Sequence, residues 1–229
     1  MITLRPAAER GHASLDWLDS RHSFSFADYH DPRHMGVSRL RVINDDRIAP
    51  RSGFDAHPHH DMEIVTYVLK GTVEHKDSMG NHSQLKAGEV QVMSAGSGIV
   101  HSEHNPSASE PLHLLQIWIQ PQENRVQPGY AQKDFSTVRG VGLLVSPDGR
   151  EGSLPIHQDA CLYLVRLDER QQVSQPTRAE RTYYLHVASG SLDVNGVSLK
   201  AGDGATLSGE PGIALEAGGR TEALLFDLP

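Results

Sequence analysis

Two short stretches of this chain set metal-ligating residue types at i and i+2: His57-Pro58-His59 and His101-Ser102-Glu103. On a β-strand those positions share a face, because side chains alternate with period 2. Two such strands facing each other inside a barrel would aim three imidazoles and one carboxylate at one point. That donor set suits Fe(II), Mn(II), Ni(II), Cu(II), Co(II) or Zn(II), and it lacks the thiolates of a Cys-type structural zinc site. Protein on one side of an ion leaves positions on the other for water, O2 or a substrate, as a catalytic metal requires.

The carboxylate has a rival. Glu63 lies four residues after His59 and would also face inward on a regular strand, as a ligand or as a second group orienting a ligand imidazole. His60 and His104 directly follow inward positions and are expected to point to solvent. His75 has the wrong parity or location for the ligand set, and it too is expected at the surface.

The elements that must carry these residues read as strands. Ser38–Ile43, Glu63–Leu69, Glu89–Met93 and Leu112–Ile119 are apolar or alternating runs. Similar runs follow at 141–145, 162–167, 182–187, 191–194, 213–216 and 223–226. Gly, Pro, Asn and Asp separate most of them, the pattern of an all-β sandwich or barrel. Asn195-Gly196, between two short β-like runs, is the sharpest hairpin signal. Helix is scarce: Ser14 is expected to cap one short turn over 15–20, followed by an edge-strand pattern over His22–Phe26.

The chain also repeats itself. Leu85-Lys86-Ala87-Gly88-Glu89 returns as Leu199-Lys200-Ala201-Gly202-Asp203, 114 residues later, and Tyr67–Gly71 aligns loosely with His186–Gly190, 119 residues later. Two related β-units are expected, one over 1–130 and one over 131–229, joined near 120–135. Carried across at those offsets, His57, His59, His101 and Glu103 fall on Pro176, Arg178, Leu215 and Ala217. None of these replaces a metal ligand, so the chemistry is assigned to the first unit.

Composition narrows the partners. The net charge is −8 and the basic residues are scattered, which argues against a duplex-binding face. The one cysteine, Cys161, allows no intramolecular disulfide, in keeping with a reducing compartment. The N-terminus lacks a signal-peptide core and no apolar run is long enough to span a bilayer. The expectation is a cytoplasmic protein with a small-molecule partner and neither nucleic acid nor membrane. No Gly-x-Ser-x-Gly elbow and no phosphate-binding Gly-rich loop with Lys occurs.

At the level of motifs, Gly53-x3-His57-x-His59-x3-Glu63-x7-Gly71 resembles the first cupin motif, and Gly88-x5-Ser94-x-Gly96-x4-His101-x3-Asn105 the second. More closely, residues 57–69 (HPHHDMEIVTYVL), 96–103 (GSGIVHSE) and 26–32 (FADYHDP) resemble the pirin branch of the cupins. The second motif departs from the general cupin pattern, with Ser94 in the usual Pro place and a longer gap before His101. The resemblance implies a bicupin, two cupin barrels in one chain. It favours Glu103 over Glu63 as the fourth ligand beside His57, His59 and His101, and iron(II) as the metal. It also implies quercetin 2,3-dioxygenase activity: a flavonol-like substrate, O2 as co-substrate, Glu103 as general base, and ring cleavage with loss of carbon monoxide. The alternatives are a metal-dependent, redox-sensing regulator acting through a protein partner, as eukaryotic members of the family suggest, and a different cupin reaction.

Overall fold

A computed structural model describes residues 1–229. It contains twenty-two strands, two single-turn 3-10 helices and no α-helix. No helix is long and apolar enough to cross a membrane. The strands are β1 (Ile2–Arg5), β2 (Gly11–Ser14), β3 (Leu18–His22), β4 (Leu40–Ile48), β5 (Gly53–His59), β6 (Glu63–Lys70), β7 (Thr72–Asp77), β8 (His82–Lys86), β9 (Glu89–Ser94), β10 (Ile99–His104), β11 (Leu112–Ile119) and β12 (Gly129–Asp134). They continue as β13 (Gly140–Ser146), β14 (Leu154–Pro155), β15 (Cys161–Leu167), β16 (Gln172–Pro176), β17 (Thr182–Ser189), β18 (Ser191–Val194), β19 (Val197–Lys200), β20 (Gly204–Ser208), β21 (Gly212–Ala217) and β22 (Thr221–Leu228).

Two compact units result. The amino-terminal unit holds Gly11–Ser136 with Leu154–Gln158; the carboxy-terminal unit holds Met1–Arg10, Thr137–Ser153 and Asp159–Pro229. This differs from a division at 130/131 in three places, one of them the return of Leu154–Gln158 to the amino-terminal unit. β12 pairs with β9 through the ladder Gly129↔Ser94 to Asp134↔Glu89, so the first unit runs on to Ser136. β1 pairs with β20, so the first ten residues belong to the second unit. Neither pairing is visible in local sequence, because a strand's pattern does not name its partner. The turn expected after Ser14 is instead the bend of the β2–β3 hairpin, closed by Leu15 N–H to Leu18 O at 2.8 Å.

Each unit packs two antiparallel sheets over one core. In the amino-terminal unit the sheets run β12-β9-β6-β11-β4-β3-β2 and β5-β10-β7-β8. Strand β6 explains its central place by composition: Glu-Ile-Val-Thr-Tyr-Val is buried on both faces between β9 and β11, where β-branched side chains fit a pleated surface. Val68, Leu112, Leu114 and Ile48 of the larger sheet meet Val73 and Leu85 of the smaller one. In the carboxy-terminal unit β20-β17-β22-β15 faces β16-β21-β18-β19. Its interior is wholly apolar between Leu185, Val187, Leu192, Val194, Leu199, Ile213 and Leu215. The β18–β19 hairpin turns at Asn195 (φ 50°) and Gly196 (φ 83°), as the dipeptide predicts.

The pairings fix the correspondence between the units strand by strand. Glu103 pairs with Phe54 and His75; Leu215 pairs with Val173 and Val194. Phe54 to Val173 and His75 to Val194 are both steps of 119 residues, so Glu103 corresponds to Leu215, 112 residues on. His101, opposite His57 on the far side of the bulge, corresponds to Gly212, which stands opposite Pro176. The constant 114-residue offset therefore fails at β10. Neither Gly212 nor the buried Leu215 is a ligand-type residue.

Candidate metal centre

Strands β5 and β10 lie side by side, with His101 opposite His57 and Ile99 opposite His59. A β-bulge interrupts their ladder between His101 and Glu103. A bulge adds a residue to one strand and re-aims the side chains around it. The three imidazoles gather: ring centroids are 4.8 Å apart for His57 and His59, 4.5 Å for His57 and His101, and 4.9 Å for His59 and His101. One nitrogen from each lies within 4.8 Å of the others. His57 and His59 are half-buried and His101 is buried, so the cluster is open on one side.

Like rings packed this closely cannot all hold protons. Burial, reinforced by His101 and His57, lowers His59 to about 4. Burial, reinforced by His57 and His75, lowers His101 to about 3. Both are neutral imidazoles at pH 7, the form that binds metal. His57 Nδ1–H donates to the Asp55 carbonyl at 2.7 Å, which leaves Nε2 as its ligating atom.

Glu103 sits deeper. It accepts from Gln91 Nε2 at 2.7 Å and Thr66 Oγ1 at 3.0 Å on Oε1, and from Gln116 Nε2 at 2.5 Å on Oε2. A carboxylate has about four lone-pair sites, so one on Oε2 stays available to an ion. One of its carboxylate oxygens lies within 4.8 Å of nitrogens of His101 and His75, a second candidate donor set that shares His101 with the first. Two more buried polar atoms have no partner: the indole Nε1 of Trp118 and the side-chain carbonyl oxygen of Asn44. Trp118 stands edge-on to His59 at 5.0 Å, and Asn44 pairs with Gln116 across β4 and β11. Buried polar atoms normally have partners, so these two mark a chamber built to receive polar groups. The donor types and the lowered values of His59 and His101 fit a divalent transition metal.

Other expected residues fall elsewhere. Glu63 does not reach the imidazoles. It is buried on β6, three residues from Thr66 and thus on the opposite face, where Ser94 Oγ donates to it at 2.7 Å. Burial pushes its carboxyl up, against the lowering effect of Ser94 and His157. The parity count from His59 failed because Asp61 turns the chain with φ 49°. His60 is exposed, and His104 is partly exposed beside Asp55. His75 is the clear miss: it is fully buried, its ring lies 5.3 Å from that of His101, and Asp77 accepts from its Nε2 at 3.1 Å. The signal was present, since His75-Lys76-Asp77 is itself an i, i+2 pair of ligand-type residues.

Around the cluster are two clefts. One, about 520 Å³, runs past Pro58, His59, Ile99 and Arg125. The other, about 390 Å³, is lined by Phe26, Tyr29, Met35, Met62 and Trp118.

The pirin family model matches residues 3–119, and the model for the quercetinase C-terminal cupin domain matches 143–228. The chain belongs to the pirin family. A protein named quercetin 2,3-dioxygenase from Escherichia coli (strain K12) is 55% identical over 229 residues, covering 100% of this chain and 99% of that one. A pirin-like protein from Caulobacter vibrioides is 41% identical, with 99% of each chain covered. Among solved structures, that of YhhW from Escherichia coli superposes with a TM-score of 0.98 at 55% identity, covering 100% of this chain and 98% of that one. A structure of the bacterial pirin YhhW in complex with nickel(II) gives a TM-score of 0.97 at 54% identity, covering 100% of this chain and 99% of that one. The pirin fold, two cupin units in one chain, is thus this chain's fold, and the His cluster lies in the unit matched by the pirin model.

Proposed function

We propose that this pirin is a metal-dependent dioxygenase that cleaves quercetin-like flavonols with O2, acting in the cytoplasm. The observation that carries the reading is the convergence of three imidazoles beside a hydrogen-bonded carboxylate, open on one side. His57, His59 and His101, with Glu103 as the fourth ligand, would hold the metal, which we take to be iron(II). When bound, such a metal supplies Lewis acidity to substrate oxygens and brings O2 chemistry to them.

The chain's own residues do the rest. With its one free Oε2 lone pair turned to the substrate instead of the metal, Glu103 takes the proton of the flavonol hydroxyl, giving the electron-rich enolate that O2 converts to ring-opened ester and carbon monoxide. Gln91, Gln116 and Thr66 hold Glu103 in place as it does so. The aromatic and thioether walls of Phe26, Met62 and Trp118 suit a flat, apolar ring system.

The test is oxygen-dependent loss of quercetin absorbance with protein of measured iron content. His57→Ala is expected to abolish the loss, and Glu103→Gln to retain metal while slowing turnover by about 10²–10⁴-fold, the usual worth of a general base. Undiminished turnover in Glu103→Gln would remove Glu103 as the base. Stoichiometrically loaded protein that leaves quercetin intact would reject the dioxygenase and favour a regulatory role.

A further inference from the structure

We propose that His75, anchored by Asp77, is a positioning residue that fixes the tautomer and the aim of His101. The inference rests on the metal-site reading of the His57–His59–His101 cluster, and goes beyond the four expected ligands.

The hydrogen bonds dictate the protons, starting from Asp77. Its side chain is fully buried. Oδ1 accepts from the Met79 N–H at 2.9 Å and the Asn81 N–H at 3.0 Å. Oδ2 accepts from Asn81 Nδ2 at 2.8 Å and from His75 Nε2 at 3.1 Å. Four donors use all of a carboxylate's lone pairs. Asp77 is therefore an acceptor only, and His75 must carry its proton on Nε2. With Nε2–H given to Asp77, Nδ1 is the ring's acceptor.

That bare nitrogen faces His101 Nδ1 at 3.5 Å, the long end of the hydrogen-bond range. Two bare nitrogens would repel, so His101 carries its proton on Nδ1 and donates it. The lone pair of His101 is thereby assigned to Nε2. The plane of His75 is set as well: it stacks on Tyr130 with centroids 4.7 Å apart and planes 27° from parallel. Tyr130 is in turn tied through its hydroxyl to Ser83 at 2.6 Å. Carboxylate, two imidazoles and the metal position thus form one chain with every proton placed. His57 gets the same assignment from the Asp55 carbonyl, so two of the three imidazoles are oriented by a partner on Nδ1.

Outer partners of ligand histidines typically contribute 10- to 100-fold in metal affinity. The experiment uses the full chain and Co(II) as the probe, with affinity from chelator competition and geometry from the visible ligand-field spectrum. His75→Phe keeps a flat ring against Tyr130 but removes the acceptor. It should weaken Co(II) binding by about 10–100-fold and shift the spectrum. His75→Gln restores an acceptor oxygen and should recover most of the affinity. Folded His75→Phe with parental affinity and spectrum overturns the proposal, as does folded His75→Gln no better than His75→Phe. Should His75→Phe not fold, Asp77→Asn decides: weaker binding with a shifted spectrum supports the relay, and unchanged binding refutes it. Quercetin does not enter the readout. Protein that behaves as expected here but spares quercetin would keep this inference and lose the dioxygenase.

Discussion

The inner face of the amino-terminal unit carries more charge than a core tolerates without consequence. Asp46 on β4 is fully buried and hydrogen-bonded to Ser20 on β3. Burial pushes its carboxyl up to about 7; the Ser20 hydroxyl opposes the shift, and the charges of Asp45 and Glu103 add to it. An unfolded Asp titrates near 3.9. The folded state therefore binds the extra proton between those values. Its contribution to stability is whole below about pH 4 and is lost as pH rises to about 7, at no more than ~1.4 kcal/mol per pH unit. Asp46→Asn keeps an acceptor for Ser20 and cannot ionise. In urea unfolding at pH 4.5 and 7.5, the variant should gain on the parent between the two values; parallel profiles would show that Asp46 does not titrate there. The residues closest to the metal position were the more legible ones. His57, His59 and His101 obey the alternation rule, and the structure brings their rings together. His75 and Asp77 obey it equally, but burial in β7 was not visible in a strand as polar as Thr-Val-Glu-His-Lys-Asp.

At the scale of elements, the site depends on how closely two strands approach. Gly53 begins β5 directly against the end of β10. A Cβ there would overlap the Glu103 carbonyl oxygen and sit 2.5 Å from the His104 Cα, both of them backbone and unable to swing away. Gly53→Ala should force β5 outward and separate His57 and His59 from His101. The expected result is a loss of roughly 1–3 kcal/mol in unfolding free energy, the usual cost of overpacking, together with weaker Co(II) binding. A variant that loses stability but binds Co(II) normally would mean the two strands move as one. The same elements explain what the sequence could and could not show. Strands β6, β9 and β11 announce themselves by β-branched and alternating residues, because both faces or one face are buried. Strands β5, β7, β8 and β12 are polar and half-exposed, and their hydrophobic pattern is nearly absent. The sheet that carries His57, His59, His101 and Glu103 is thus the one least marked by hydrophobicity, and it was approached only through its chemistry. The bulge between His101 and Glu103 had no signal of its own.

At the scale of the whole molecule, one strand plan has been used twice with opposite interiors. Strands β4 to β11 and β15 to β22 share their order and sheet partners. The polar set Thr66, Gln91, Glu103 and Gln116 lies inside the first unit, and an unbroken apolar cluster fills the second. The repeat was legible because Leu-Lys-Ala-Gly-acidic marks the same turn in each half. The loss of ligands was legible too, although the register places Leu215, not Ala217, where Glu103 stands. What fills a barrel decides what it can do: a polar interior costs stability and permits chemistry, while an apolar one contributes stability and permits none. Leu215 is 2% exposed among Val173, Val194 and Leu192. Leu215→Ala should therefore cost about 2–5 kcal/mol, the transfer and cavity terms of a buried leucine. It should leave Co(II) stoichiometry and affinity at the His57–His59–His101 cluster unchanged. The matched substitution in the other unit, Glu103→Ala, should do the reverse to binding: Co(II) affinity falls, because the proposed carboxylate ligand is gone and three donors lose their acceptor. Chelator competition and urea unfolding on the two variants separate the roles. Equal loss of metal affinity in both would show that the carboxy-terminal unit shapes the metal centre and is not solely a source of stability.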